Sequence, residues 1–209
     1  MKPGDRINGK KGTYELIEAL DRSYVFLARA DGLYVVKGFA HPDIFEREAA
    51  AFRVIREAHP NIVRQREIID GGYIILPYLR GEKLIERIRR DGPMPLETAL
   101  GKFSEVCRGL AHLHSCGISH GDVSVDNIML TPKAVLFDLD ASDDDTGTDI
   151  DRAARTLHEM LTGRRIMDGL FEPACDPCLD SDILRIIENA CTDEYKSIMD
   201  MWADLEDLA

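Results

Sequence analysis

The chain has 209 residues, 44% hydrophobic and 31% charged, and a formal net charge of −12. That length suits one large domain or two small lobes with a proper buried core, and the composition is that of an ordinary globular protein. An acidic balance argues against nucleic acid as a partner, because phosphate binding wants a basic surface. No apolar run approaches eighteen residues, and Met1-Lys2-Pro3-Gly4 opens no signal-peptide pattern, so no membrane association and a cytoplasmic location are expected. The five cysteines are an odd number, and free thiols are the default. Cys175 and Cys178 form a single CxxC pair without two further ligands at similar spacing, which favours loop or packing cysteines over zinc.

Thr13 to Val36 is rich in β-branched, aromatic and other apolar residues. Turn signals at Asp21-Arg22-Ser23 and Asp31-Gly32 divide it into three short strands. In the third, Leu33 to Lys37, the two-residue period puts Val35 and Lys37 on one face. After Pro42, a good first-turn residue, Asp43 to Ala58 reads as a helix with Phe45, Glu48, Phe52 and Ile55 along one side, stopped by His59-Pro60. Ile62-Val63 and Tyr73 to Leu76 read as two more strands flanking Asp70-Gly71-Gly72. Residues 1–79 thus form a lobe of five strands and one helix, and 80–209 a mainly helical one, with the boundary at Pro77 to Gly81. Glu97 to Cys116 carries Leu100, Phe103, Val106, Cys107, Leu110 and Leu113 at helical spacing. A short β segment surrounds Asn127 to Asp138. Asp149 to Leu161 reads as a second core helix ended by Gly163, and 181–191 and 193–208 as terminal helices.

The chemistry concentrates in His120-Gly121-Asp122-Val123-Ser124-Val125-Asp126-Asn127, with Asp138 eleven residues after Asn127. These residues supply one acid to accept a hydroxyl proton, and an amide and a second acid to hold Mg²⁺. Phosphoryl transfer asks for little beyond such positioning and charge neutralisation. The bland reading is a polar turn. It is outweighed by the amphipathic helix ending at Leu110 to His114 before the motif and the hydrophobic strand running into Asp138 after it.

With those flanks the motif resembles the protein kinase-like superfamily. The resemblance implies an α+β, two-lobed fold with a small β-rich N-lobe and a reduced helical C-lobe. It also implies ATP and Mg²⁺ as cofactors, a protein acceptor for the phosphoryl group, and Asp122 as the base that orients and deprotonates the acceptor hydroxyl. Asn127 and Asp138 become the Mg²⁺ ligands, Lys37 the contact to the α/β-phosphates, and Glu48 the carboxylate that pairs with Lys37. Val25, Val35 and Met129 would sandwich adenine, with Tyr78 and Leu79 offering backbone hinge contacts. Asp149 would anchor the catalytic loop, and His120 and Leu139 would stack with Phe52.

Several departures from the family pattern bear on function. The phosphate-covering loop has lost its glycines, so either ATP binds more weakly or Arg22 and Ser23 substitute with side chains. Ten residues separate Asp138 from Asp149, including the acidic run Asp143-Asp144-Asp145. That leaves no room for an activation loop or an A-P-E segment, and Gly121 replaces the arginine that would bind a loop phosphate. Ser124 stands where a lysine is usual, and Asp140 where a glycine is. The expected function is a minimal Ser/Thr protein kinase, with room for an activating partner protein to complete the missing acceptor platform. Two alternatives stay open. One is a small-molecule or tRNA-modification-complex type of kinase or ATPase; the other is an ATP-binding pseudokinase acting as an interaction module.

Overall fold

Strands β1 (Arg6–Gly9), β2 (Gly12–Ala19), β3 (Val25–Arg29), β4 (Leu33–Gly38), β5 (Glu67–Ile69) and β6 (Tyr73–Pro77) pair antiparallel in the order β1-β2-β3-β4-β6-β5. The chain is described from a computed structural model covering residues 1–20, 24–140, 146–166 and 179–208. It separates into two units, residues 1–58 with 63–80, and 59–62 with 81–209. Arg22, Ser23, the Asp143 to Asp145 run, Cys175 and Cys178 lie outside the described residues. Strand alternation turns Tyr14, Leu16, Phe26, Ala28, Val36 and Ile75 to one face, where they form the core of the first unit.

The sheet has six strands where five are expected. The extra strand, β1, offers the pattern one large apolar residue, Ile7, so periodicity alone gives it little signal. What fastens it is Glu67, which is buried. Its carboxylate accepts from Lys10 N (2.9 Å) and Lys11 N (3.2 Å) in the β1–β2 turn and from the Tyr14 hydroxyl (2.5 Å). Burial and the bond to Glu67 push the Tyr14 hydroxyl up to about 12. Replacing Glu67 by Ala strands these donors. The expected cost is about 3 kcal/mol, checked by chemical denaturation, with Glu67→Gln milder because it keeps an acceptor.

Helix α1 runs Pro42–Val54 and buries Phe45, Glu48, Ala49, Ala51 and Phe52. It stops four residues before the expected end at Ala58. Arg56, Glu57 and Ala58 are all exposed, so another turn would bury nothing, and burial is what sustains a helix of this length.

The second unit holds β7 (Glu82–Lys83), α2 (Leu84–Asp91), α3 (Leu96–Ser115), β8 (Ile128–Leu130), β9 (Ala134–Leu136), α4 (Thr146–Thr162), α5 (Ser181–Cys191) and α6 (Ile198–Glu206). Its small sheet has the order β7-β8-β9. The expected strand at Ile62-Val63 does not form. Asn61 instead donates from Nδ2 to Ala134 O at 2.8 Å and accepts from Leu136 N at 2.9 Å, and Ile62 makes an isolated bridge to Leu136. Asn61 is thus committed to β9, and the strand beside β6 is Glu67–Ile69. Helix α3 buries Leu100, Phe103, Val106, Cys107, Leu110 and Leu113. It lies so close to this turn that a Cβ on Gly109 would sit 3.0 Å from Asn61 O. Gly163, with φ +70, ends α4 in the left-handed conformation that glycine adopts without penalty. Cys107, Cys116 and Cys191 are free thiols. Among the described residues, no helix is long and apolar enough to cross a membrane.

Candidate active site

The loop 120–127 is held from below by one buried carboxylate. Asp149, in the first turn of α4, is fully buried. Its Oδ2 accepts from His120 N at 2.7 Å and its Oδ1 from Gly121 N at 2.9 Å. The ring of His114, in the last turn of α3, contacts Oδ2 at 2.9 Å. Burial alone would raise the Asp149 carboxyl, but the bonds from His114, His120 N and Gly121 N hold it below the usual carboxylate range. Gly121 has φ +81, a conformation that would strain any residue with a Cβ.

His120 ties this loop to the segment carrying Asp138. Burial depresses its pKa, so the ring is neutral. A neutral ring has one donor and one acceptor. It donates from Nε2 to Phe137 O at 3.2 Å and accepts Asp122 N at Nδ1 at 3.3 Å. His120 O accepts from Asp140 N at 3.0 Å, and Phe137 N donates to Asn127 O at 3.1 Å. These bonds bracket Asp138, which is exposed and has φ +63. A non-glycine residue in that region is strained unless its surroundings enforce it, a pattern common at functional sites.

Asp122 is exposed, whereas Asn127 is buried at the end of the 3₁₀ turn Val125–Asn127. Asn127 Nδ2 donates to Asp122 Oδ2 at 2.7 Å and to Asp122 O at 2.9 Å. Its planar amide therefore turns Oδ1 away from Asp122. That oxygen and the Asp138 carboxylate are the hard donors that Mg²⁺ prefers, so the residues present fit the ion. Among the described residues, no group of three or more His, Cys, Asp or Glu side chains is clustered as a ready metal cage. A Mg²⁺ held by two protein groups and by phosphate oxygens needs none.

In the first unit, Lys37 Nζ meets Glu48 Oε2 at 2.6 Å, and Glu48 is buried. Lys37 also stands over the Phe39 ring, 5.3 Å from its centroid. Val25 lies directly opposite Lys37 in the β3–β4 register, and Val35 is two residues before Lys37 on β4. All three therefore share the sheet face opposite Phe26 and Val36. Tyr78 and Leu79 follow β6, and the Tyr78 amide donates to Leu33 O at 3.2 Å. Met129, half-buried in β8, pairs with Val135 and Lys83. Phe52 is buried in the first unit, and His120 and Leu139 are buried in the second.

His114 is a contributor to the site that the loop motif does not reveal. Its signal was faint: a histidine four residues after Leu110 on an amphipathic helix is ordinarily a packing residue, and its partner lies 35 positions away.

Residues 33–161 match the family described as the protein kinase domain. CBL-interacting serine/threonine-protein kinase 16 of Arabidopsis thaliana is 32% identical over 134 residues, covering 62% of this chain and 26% of that protein. The serine/threonine-protein kinase PknG of Mycolicibacterium smegmatis is 30% identical over 158 residues, covering 68% of this chain and 20% of its own length. The chain thus aligns with about a quarter or less of each of these relatives. The PknI kinase domain of Mycobacterium tuberculosis superposes with a TM-score of 0.81 at 20% identity, covering 99% of this chain and 98% of that one. That superposition gives the fold: α+β, with a β-rich N-lobe and a helical C-lobe.

Proposed function

The chain belongs to the protein kinase domain family, and from that premise we propose that it transfers the terminal phosphoryl group of Mg-ATP to a Ser/Thr hydroxyl of a protein. The observation that carries this reading is the Asp122–Asn127 pair at 2.7 Å, on a loop whose backbone is fixed by Asp149 and crosslinked to the segment bearing Asp138. When bound, Mg-ATP supplies the electrophilic phosphorus and much of the charge neutralisation. Asp122 accepts the acceptor's hydroxyl proton at Oδ1, because Oδ2 is engaged by Asn127. Asn127 and Asp138 hold the metal. Lys37, kept in place by Glu48, contacts the α/β-phosphates, and Val25, Val35, Met129, Tyr78 and Leu79 contact the adenine.

A second reading, transfer to a small molecule, is favoured by the ten residues between Asp138 and Asp149, too few for the usual peptide platform. An activating partner protein that supplies this platform would restore the first reading. The pseudokinase alternative is weakened by the intact Lys37–Glu48 pair at 2.6 Å.

Mg-ATP at ~100 times its dissociation constant should stabilise the fold by ~2.7 kcal/mol. For a chain of this size that is a rise in melting temperature of roughly 5–11 °C. Differential scanning fluorimetry checks it. No shift at millimolar Mg-ATP would count against the enzyme and the ATP-binding pseudokinase alike.

A further inference from the structure

Helix α4 runs beside the catalytic loop and meets it at three places. Near its start, Asp149 takes the amides of His120 and Gly121. Two turns further on, Thr156 Oγ1 lies 3.4 Å from Val123 O. Just past its end, Arg165 joins Glu159 to the loop: Arg165 Nε meets Glu159 Oε2 at 3.3 Å, and Arg165 Nη2 bonds Asp126 Oδ2. From Asp149 to Glu159 the helix advances ~15 Å at its usual rise, so the loop is held at both ends by one rigid element.

The third contact has a different character from the first. Glu159 is buried, and a buried carboxylate requires a cationic or hydrogen-bonding partner. A guanidinium is suited to answer it and still reach a second acid, because its donors fan out in a fixed plane. Arg165 is 52% exposed at the side chain and Asp126 42%. An ion pair that open contributes little to global stability. What it does is fix Asp126, which precedes Asn127 within a three-residue 3₁₀ turn. Asn127 in turn grips Asp122 through Nδ2. The loop lacks a cation of its own at position 121, where the resemblance expects arginine and the chain has glycine.

We infer that Arg165 is a positioning residue for phosphoryl transfer: it pins the Val125–Asn127 turn to the end of α4 and so fixes the Asn127–Asp122 pair. The inference rests on the kinase reading above.

The test uses the full chain with Mg-ATP and water as the acceptor, which requires no identified substrate. Phosphate release that depends on Asp122 is compared in wild type, Arg165→Ala, Arg165→Lys and Asp126→Asn. Asp126→Asn leaves the Glu159–Arg165 pair intact, so it folds even if Arg165→Ala does not. In Arg165→Ala and Asp126→Asn, kcat should fall by ~10- to 100-fold, the scale of a small misplacement of a reacting group. KM for Mg-ATP should rise by much less than kcat falls, since Asn127 is displaced but Asp138 and the nucleotide contacts of the first unit are kept. Arg165→Lys should recover part of the loss, keeping the charge without the fork. Rising salt should lower wild-type kcat towards that of Arg165→Ala and leave the variant nearly unchanged.

Hydrogen exchange gives a readout independent of turnover. The Asn127 amide, bonded to Ser124 O at 3.0 Å, should exchange faster in both variants. Unchanged exchange there, or wild-type kcat in an active Arg165→Ala and Asp126→Asn, would overturn the inference. A wild-type chain with no Asp122-dependent release would overturn the kinase reading instead, and slowed variants beside an active wild type exclude that failure.

Discussion

Asp122→Asn should turn over Mg-ATP ~10²–10⁴ times more slowly than the wild type, the usual worth of a positioned general base. That corresponds to about 2.7–5.4 kcal/mol of lost transition-state stabilisation. Asparagine is the informative replacement here. Its Oδ1 can still accept the bond that Asn127 Nδ2 makes at 2.7 Å, so the loop keeps its shape and loses only the basic oxygen. Mg-ATP binding should be nearly unaffected, and the ATP-dependent melting shift should survive. Asp138→Asn should show the opposite pattern, with the shift reduced because a metal ligand is weakened. A turnover within a fewfold of wild type for Asp122→Asn would remove this loop from the chemistry.

The largest effect on stability is expected at Asp149. Alanine there leaves the His120 and Gly121 amides and the His114 ring without their acceptor inside a buried site. Breaking a buried charged network of this kind costs about 3–5 kcal/mol, or roughly 6–20 °C in melting temperature for this size. Acid should reveal the same group. Its folded pKa lies below the ordinary value, so its stabilisation is complete above the unfolded value of about 3.9. That contribution disappears as pH falls through the lower folded value. Two histidines act earlier. His120 and His59 are both held below the ordinary value, by burial first. Their unfolded forms take up protons more readily, so stability declines as pH drops below about 6.5. Wild-type stability should therefore fall in two stages, below about pH 6.5 and again below about pH 4. Asp149→Asn should shrink the second stage, to which the depressed carboxyls of Asp31, Glu82 and Asp91 also contribute, and keep the first, which denaturant titrations across pH 3–7 will resolve.

How much of this was readable beforehand depended on the range of the interaction. The strands β2 to β4 and the helices α3 and α4 follow from local periodicity and turn residues, because their own side chains form their buried faces. The carboxylate at 149 and the residues of the loop were legible through the motif that they share with a known family. What was hidden lies between distant positions. Strand β1 depends on Glu67, more than fifty residues away. The Ile62-Val63 segment has the apolar look of a strand, yet the bonds of Asn61 and the bridge of Ile62 draw this stretch to β9. Arg165 follows a glycine that ends a helix, and arginines in such places are commonly solvated. Only its meeting with Asp126, 39 residues earlier, gives it a role. Long-range polar pairs leave no periodic trace in a single sequence.

The central claim is a phosphoryl transfer that depends on Asp122, and one measurement addresses it directly. Wild type and Asp122→Asn are incubated with γ-labelled Mg-ATP and lysate of the source cell, and label is partitioned among protein, small molecules and free phosphate. Label on protein that is lost in Asp122→Asn is the expected result, with the acceptor identified by mass. Label on a small molecule would move the assignment to the second reading, and no Asp122-dependent transfer to any fraction would contradict it.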